Sequence, residues 1–175
     1  RYNPETLEVT WHGYTVAEIL DLTVAEARGV FTEEPQIAAA LQALHAVGLD
    51  YLRLGQGAPE LSGGEAQRIK LATELQRSGK TRRRTPTVHL LDEPTTGLHP
   101  ADVDLLVTEL HRLVDAGDSV VVVEHDLRVV AQADRVIDLG PGAGADGGRI
   151  IADGTPAEVA ATDTATGRAL AASSG

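Results

Sequence analysis

Three short blocks carry residue types that can act on a phosphate. Leu61-Ser-Gly-Gly-Glu-Ala-Gln-Arg68 sets Gly63 and Gly64 ahead of a helical stretch, with Ser62 at the cap. Free backbone N–H groups at such an N-terminus face an anion, the helix dipole adds to them, and the Ser62 hydroxyl is one more donor. A bare Ser-Gly-Gly is accounted for by an ordinary Ser-capped helix; the full octet is far more specific. Val88-His-Leu-Leu-Asp-Glu-Pro94 reads as a strand delivering Asp92 and Glu93 to its C-terminal end, the edge where α/β sheets bind ligands. Asp92 suits an Mg2+ held with phosphate oxygens, directly or through water. Glu93 suits a base or a positioner for attacking water. A solvated acidic loop is the plainer account of that pair. Val120-Val-Val-Val-Glu-His125-Asp126 ends a second strand in a histidine. Its neutral imidazole can donate to a γ-phosphate or hold water, although a lone His at a strand end is more often structural.

The elements that must position these blocks follow from capping and periodicity. Before residue 61 the chain reads as mostly helical. Leu7–Trp11 is a short strand candidate and His12-Gly13 a turn. Thr15-Val-Ala-Glu18 and Thr23-Val-Ala-Glu26 are capping boxes that open short helices. A helix over Pro35–Val47 carries Ile37, Leu41, Leu44 and Val47 on one face, and Gly48 stops it. Beyond residue 60, helices alternate with β-branched runs. Helices are expected over Gly64–Arg77, over Pro100–Ala116 with the stripe Val103, Leu106, Leu110, Leu113 and Val114, and from Asp126 through Ala133. Strands are expected over Thr87–Leu91, Ser119–Val123, Arg135–Leu139 and Arg149–Ala152, the first of them buried and the four-Val run covered on both faces. Thr155-Pro-Ala-Glu158 opens one more helix, and the last residues read as frayed. Strands separated by helices imply parallel pairing and an α/β layer architecture.

Composition narrows the function classes. The chain has 175 residues, 42 % of them hydrophobic and 23 % charged, an ordinary globular mixture. Aromatics are only 3 %, so Ala, Val, Leu and Ile fill the core. No run approaches the ~20 apolar residues that span a bilayer, and no signal peptide is visible. Cysteine is absent, which excludes disulfides and thiolate metal sites within the chain. A cytoplasmic setting with no membrane partner is the expectation. With 15 Lys and Arg against 26 Asp and Glu, the net charge is −11. Such a chain needs a local basic patch or a basic partner domain to hold nucleic acid. Methionine is absent even from position 1, so the sequence reads as a piece of a longer chain.

Taken in order, the three blocks resemble the signature motif, the Walker B motif and the switch histidine of ABC-type ATPases. Thr95-Thr-Gly-Leu-His99 narrows the resemblance. Transporter ATPases usually carry a Ser-Ala-Leu-Asp type of D-loop there, whereas this segment, with Thr96, Gly97, Leu98 and His99, is similar to the UvrA family of damage-sensing repair ATPases. Arg1–Glu8, Leu54–Gln56, Leu61–Arg68, Ala133–Pro141, Gly148–Ala152 and Gly154–Pro156 match that family too. The resemblance covers nearly the whole chain and implies the C-terminal part of the second ATPase domain. It implies a helical lead-in over 1–60, an ATPase core over 61–162 and a tail over 163–175. It implies ATP and Mg2+ as ligands, with Ser62, Gly63, Gly64, Glu65, Gln67 and Asp92 toward nucleotide and Glu93 and His125 catalytic. It also implies damaged duplex DNA, a nuclease-loading repair subunit and a second copy of the parent protein as partners. A four-Cys zinc module of the parent would end just before Arg1-Tyr2-Asn3.

Two departures point toward a UvrA-like paralogue for tolerance of DNA-damaging compounds. Asp126 and Arg128 stand where Asn and Asp are expected, and Ser78–Thr87 is longer and more basic than expected. An ABC module of transport or translation, and a non-catalytic interaction fragment, are the alternatives from other classes. Thr95–His99 argues against the first and the Asp92-Glu93 pair against the second.

Two formal motifs fail on context. Ser78-Gly-Lys-Thr81 resembles a P-loop tail, but position 74 is Glu, the segment follows a helix, and three arginines come next. Gly142–Gly147 is a formal G-x-G-x-x-G, but it leads into a strand and reads as a Gly-rich hairpin. Arg77, Lys80, Arg82, Arg83 and Arg84 are the basic cluster of an acidic chain. A solvated loop is the plain account; contact with a DNA backbone or another subdomain is the sharper one.

Overall fold

Hydroxyl-x-x-Glu sequences start helices wherever they occur in this chain. The computed structural model describes residues 2–78, 85–142 and 147–173. It shows the capping boxes of Thr15 with Glu18, Thr23 with Glu26 and Thr155 with Glu158 fully formed. Asn3 does the same work at the N-terminus. Its side chain accepts from the Thr6 N–H at 2.9 Å, and Pro4 occupies the first helical position. Residues 4–7 therefore form a helical turn, α1 (Pro4–Leu7), and the expected strand shrinks to β1 (Thr10–Trp11). His12 and Gly13, with φ of 48° and 86°, turn the chain into β2 (Tyr14–Thr15), antiparallel to β1.

The chain divides into two compact units, Arg1–Val122 and Val123–Gly175. In the first, α2 (Val16–Asp21), α3 (Val24–Val30) and α4 (Pro35–Ala46) precede a 3-10 turn at Ala58–Glu60 and the long α5 (Gly63–Ser78). Leu41 and Val47 are buried on α4's expected face, but Ile37, in the first turn, is exposed. Gly48 ends the helix at φ +70°, where a Cβ would meet Asp102 and Leu98 at 2.9 Å. β3 (Val88–Asp92), α6 (Pro100–Asp115) and β4 (Ser119–Val123) follow. The Ser119 N–H donates to Thr87 O at 2.9 Å, joining the starts of both strands, so β3 and β4 run parallel. Lead-in helices and ATPase-type elements share one core, in which Val24, Phe31, Leu49, Leu71, Leu91, Leu106 and Leu113 meet.

Two expectations about strand burial change. Leu91 is buried and Val120 and Val122 pack on the core, but Val88, Leu90, Val121 and Val123 are exposed, Leu90 at 74 %. Helices cover one face of this two-stranded sheet. An unbroken apolar run does not reveal that, because it reads the same whether its second cover comes from the same chain or from elsewhere. On α6, Val107 joins the buried stripe, while Val114, on the same face but in the last turn, is exposed.

In the second unit the helix from Asp126 is shorter than expected. α7 (Leu127–Val130) ends after one turn, and residues to Ala133 continue through i→i+3 bonds. β5 (Val136–Gly140) and β6 (Arg149–Gly154) pair antiparallel; residues 143–146, within the segment expected to be a Gly-rich hairpin, lie outside the described residues. α8 (Pro156–Ala160) leads to α9 (Ala165–Ser173). Ala165–Ser173 is thus helical rather than frayed, because Leu170 is buried with Ala152 and Val159. Among the described residues no helix is long and apolar enough to cross a membrane.

Candidate functional site

The first block folds as a cap with a second purpose. Glu65, in the first turn of α5, turns back onto Ser62. Its Oε2 accepts from the Ser62 N–H at 2.6 Å and the Ser62 hydroxyl at 2.8 Å, while the Glu65 N–H donates to Ser62 Oγ at 3.3 Å. This is a capping box that the sequence reading did not assign. The Tyr51 hydroxyl donates to the other oxygen of Glu65 at 2.7 Å. The Ser62 N–H, followed by the Tyr51 and Ser62 hydroxyls, holds the Glu65 carboxyl below the ordinary carboxylate range. Tyr51 itself is pushed up, chiefly by burial.

One turn further, α5 reaches the end of β3. With its amide oriented so that both groups are satisfied, Gln67 donates to the Asp92 carbonyl oxygen at 3.0 Å and accepts from the Asp92 N–H at 2.8 Å. Arg68 is 1 % exposed. Its Nη1 donates to the carbonyl oxygens of Pro94 and Thr96, both at 3.0 Å, and its Nη2 lies 3.5 Å from the Tyr51 hydroxyl. Gly64 sits beside this cluster, with a Cβ position 3.7 Å from Thr96 O.

Asp92 and Glu93 are exposed, and Pro94, directly after them, is buried. Glu93 has φ +44°, a left-handed conformation uncommon for a residue with a side chain and found disproportionately at functional sites. The Thr96 N–H donates to Glu93 O at 3.1 Å and the Leu98 N–H to Thr95 O at 2.9 Å, with Gly97 at φ +77° completing the reversal. His99 then caps α6, its Nδ1 accepting from the Ala101 N–H at 3.3 Å. Within the first unit, Ser62–Arg68 and Asp92–His99 are therefore directly connected. Asp92 offers an open carboxylate on a backbone clamped from both sides, which fits an Mg2+ completed by phosphate oxygens and water. Among the described residues no cluster of three or more His, Asp and Glu side chains forms a metal site by itself.

His125 belongs to the second unit and is exposed, its side chain at 78 %. The carboxylate of Glu124, 2 % exposed, accepts from the His125 N–H at 2.8 Å and the Asp126 N–H at 3.0 Å. Glu124 so fixes the turn that presents His125. Asp126 accepts from the Arg128 N–H at 2.9 Å and pairs with its guanidinium at 2.6 Å, which holds the Asp126 carboxyl low. Arg82, Arg83, Arg84 and Lys80 lie outside the described residues.

Sequence reasoning missed three residues here: Tyr51, Arg68 in its positioning role, and Glu124. An arginine within the repeating apolar positions of α5, and a glutamate directly after a Val strand, were the available signals; Tyr51 gave none.

No protein-family model matches the chain. The UvrABC system protein A of Thermus thermophilus is 58 % identical over 171 residues, 98 % of this chain. That of Methanothermobacter thermautotrophicus is 55 % identical over 97 % of it, and that of Bacillus subtilis 51 % over 97 %. The crystal structure of UvrA2 from Deinococcus radiodurans superposes with a TM-score of 0.85 at 58 % identity over 98 % of this chain. The chain belongs to the UvrA family. It spans 17–18 % of the length of those three relatives and 21 % of the UvrA2 chain. A bacterial Atm1-family ABC exporter with ATP bound matches at a TM-score of 0.52 and 17 % identity, over 94 % of this chain and 31 % of the exporter chain. That likeness concerns the fold, which is an α/β ABC ATPase portion.

Proposed function

We propose that this UvrA-family chain is the nucleotide-closing and water-activating part of an ATPase that recognises damaged duplex DNA in nucleotide excision repair. The observation that carries the reading is the direct bonding of the signature helix to the Walker B turn, through Gln67 to Asp92 and Arg68 to Pro94 and Thr96. ABC sites are composite. Ser62, Gly63, Gly64 and Glu65 close over one ATP, while Asp92, Glu93 and His125 serve another. Mg2+, when bound, neutralises phosphate charge beside Asp92. Glu93 takes the proton of the attacking water, and His125 donates to the γ-phosphate.

The chain contains no G-x-x-x-x-G-K-[ST] motif, so the 175 residues alone should turn over ATP negligibly. Robust turnover by them would overturn the composite-site reading. In the longer protein the companions are a second copy, a nuclease-loading subunit and a zinc module, in the cytoplasm, with Arg82–Arg84 a candidate DNA contact. The deciding experiment is ATP turnover by the longer protein with and without duplex carrying a bulky lesion. Stimulation by DNA supports the repair reading; indifference to DNA favours an ABC module of transport or translation.

A second reading, a UvrA-like paralogue for tolerance of DNA-damaging compounds, is favoured by one observation. The two departures from the expected sequence, Asp126 and Arg128, pair with each other through two side-chain contacts.

A further inference from the structure

The cap of α5 and the turn after β3 are joined by a continuous chain of polar contacts. Ser62 donates twice to Glu65, Tyr51 donates to the far oxygen of Glu65, the Tyr51 hydroxyl lies 3.5 Å from Arg68, and Arg68 holds Pro94 and Thr96. Every member is short-tethered. Arg68 is buried, and its Nε has no hydrogen-bond partner among the described residues. A guanidinium held out of water by two carbonyl oxygens and one hydroxyl is sensitive to any carboxylate that moves near it.

The cap is also where an anion competes. Glu65 occupies the Ser62 N–H and hydroxyl, the same donors that a phosphate at this N-terminus would use. A phosphate arriving there displaces a carboxylate of like charge. That carboxylate is tied to Tyr51, and Tyr51 to Arg68. We infer that Tyr51 and Arg68 are positioning residues that make the geometry of the Asp92–Thr96 turn respond to phosphate at the Ser62–Glu65 cap. The two composite sites that share one copy of this chain are thereby coupled: occupancy at the signature side sets the Glu93 side. This rests on the ATPase reading above and adds a regulatory link to it. Glu65 is the two-state element, capping Ser62 without phosphate and released toward Tyr51 and Arg68 with it.

The test is a double-mutant cycle on ATP turnover in the longer protein, using Tyr51→Phe and Ser62→Ala. Tyr51→Phe removes one hydroxyl and keeps the ring. Each single substitution should lower kcat about tenfold, the scale of one lost hydrogen bond to a charged group. In a relay the double variant is no worse than the more severe single one. KM for ATP should change less than twofold in Tyr51→Phe, since that residue contacts no nucleotide. Amide exchange over residues 92–98, with and without a non-hydrolysable ATP analogue, gives the second readout. It should respond to the analogue in the unsubstituted protein and not in Tyr51→Phe. Multiplying effects on kcat, or an unchanged exchange response in Tyr51→Phe, overturn the relay while leaving the ATPase reading intact. No turnover in the unsubstituted protein overturns the ATPase reading, and the relay with it.

Discussion

Gln67 holds both backbone groups of Asp92, donating to its carbonyl oxygen at 3.0 Å and accepting from its N–H at 2.8 Å. A side chain that satisfies donor and acceptor of one residue stands in for a strand neighbour at Asp92, the last residue of β3. Only a primary amide of this length has both functions. Gln67→Glu replaces the donor with a second acceptor facing Asp92 O. Thermal or urea unfolding should show a loss of about 2 kcal/mol, the range for a desolvated carbonyl left facing an acceptor. An unchanged midpoint would show that the amide contact adds nothing to the fold.

Glu93 at φ +44° separates stability from chemistry. Glu93→Gly removes the left-handed strain and should leave the fold as stable or raise it by up to about 1 kcal/mol, because glycine's added freedom in the unfolded chain offsets part of the relief. Glu93→Gln keeps the strain and removes the base. In the longer protein both should lower ATP turnover by at least about 100-fold, the lower end for loss of a general base. Nucleotide binding, read by equilibrium titration, should persist. Turnover near the unsubstituted rate in Glu93→Gln would take the base role away from this residue.

Gly167 and Gly140 both lack room for a Cβ but should respond differently to alanine. A Cβ on Gly167 would lie 2.5 Å from the carbonyl oxygens of Thr162 and Val159, which are backbone and cannot swing away. On Gly140 it would meet Ile151 Cδ1 at 2.6 Å, the end of a flexible side chain. Gly167→Ala should lower stability by about 2–3 kcal/mol and Gly140→Ala by less than about 1 kcal/mol, on the scale of overpacked sites. Urea unfolding of the two variants side by side reads the difference, and equal losses would contradict it.

Acid should weaken the helix starts. Glu18, Glu26, Glu65 and Glu158 are each held below the ordinary glutamate value, first by the backbone N–H of their own cap residue. A carboxylate with a depressed folded-state pKa stabilises the fold above its unfolded pKa. That contribution disappears as pH falls through the folded value. The melting temperature should therefore be flat from neutrality down to about pH 5 and then drop. Glu158→Gln should flatten part of that acid limb. A variant with the same acid limb as the unsubstituted chain would show the cap carries no linkage.

The sequence by itself determined whatever depends on neighbours in the chain. Capping boxes need only a hydroxyl and a glutamate three residues apart, so Thr15, Thr23 and Thr155 open helices where expected. The octet at 61–68, the Asp92-Glu93 pair and the His99 segment carried the family resemblance because their order and spacing are local patterns. The tertiary structure decided what depends on distant partners. That Arg68 and Gln67 serve the turn at 92–96, more than 20 residues away, is invisible to any periodicity. The Ser62–Glu65 box is as local as the others, but that Tyr51 holds the other oxygen of Glu65 depends on how the chain before α5 packs. Leu90 and Val121 read as core because an apolar run records only that a strand is to be covered. Which faces the chain covers itself is settled by where its helices pack, and here they pack on one side. Residues 165–173 are the converse case: small and polar, they read as frayed, but Leu170 meets Val159 and Ala152, Gly167 is buried, and Thr166 donates to Asp138, which together hold α9 in place.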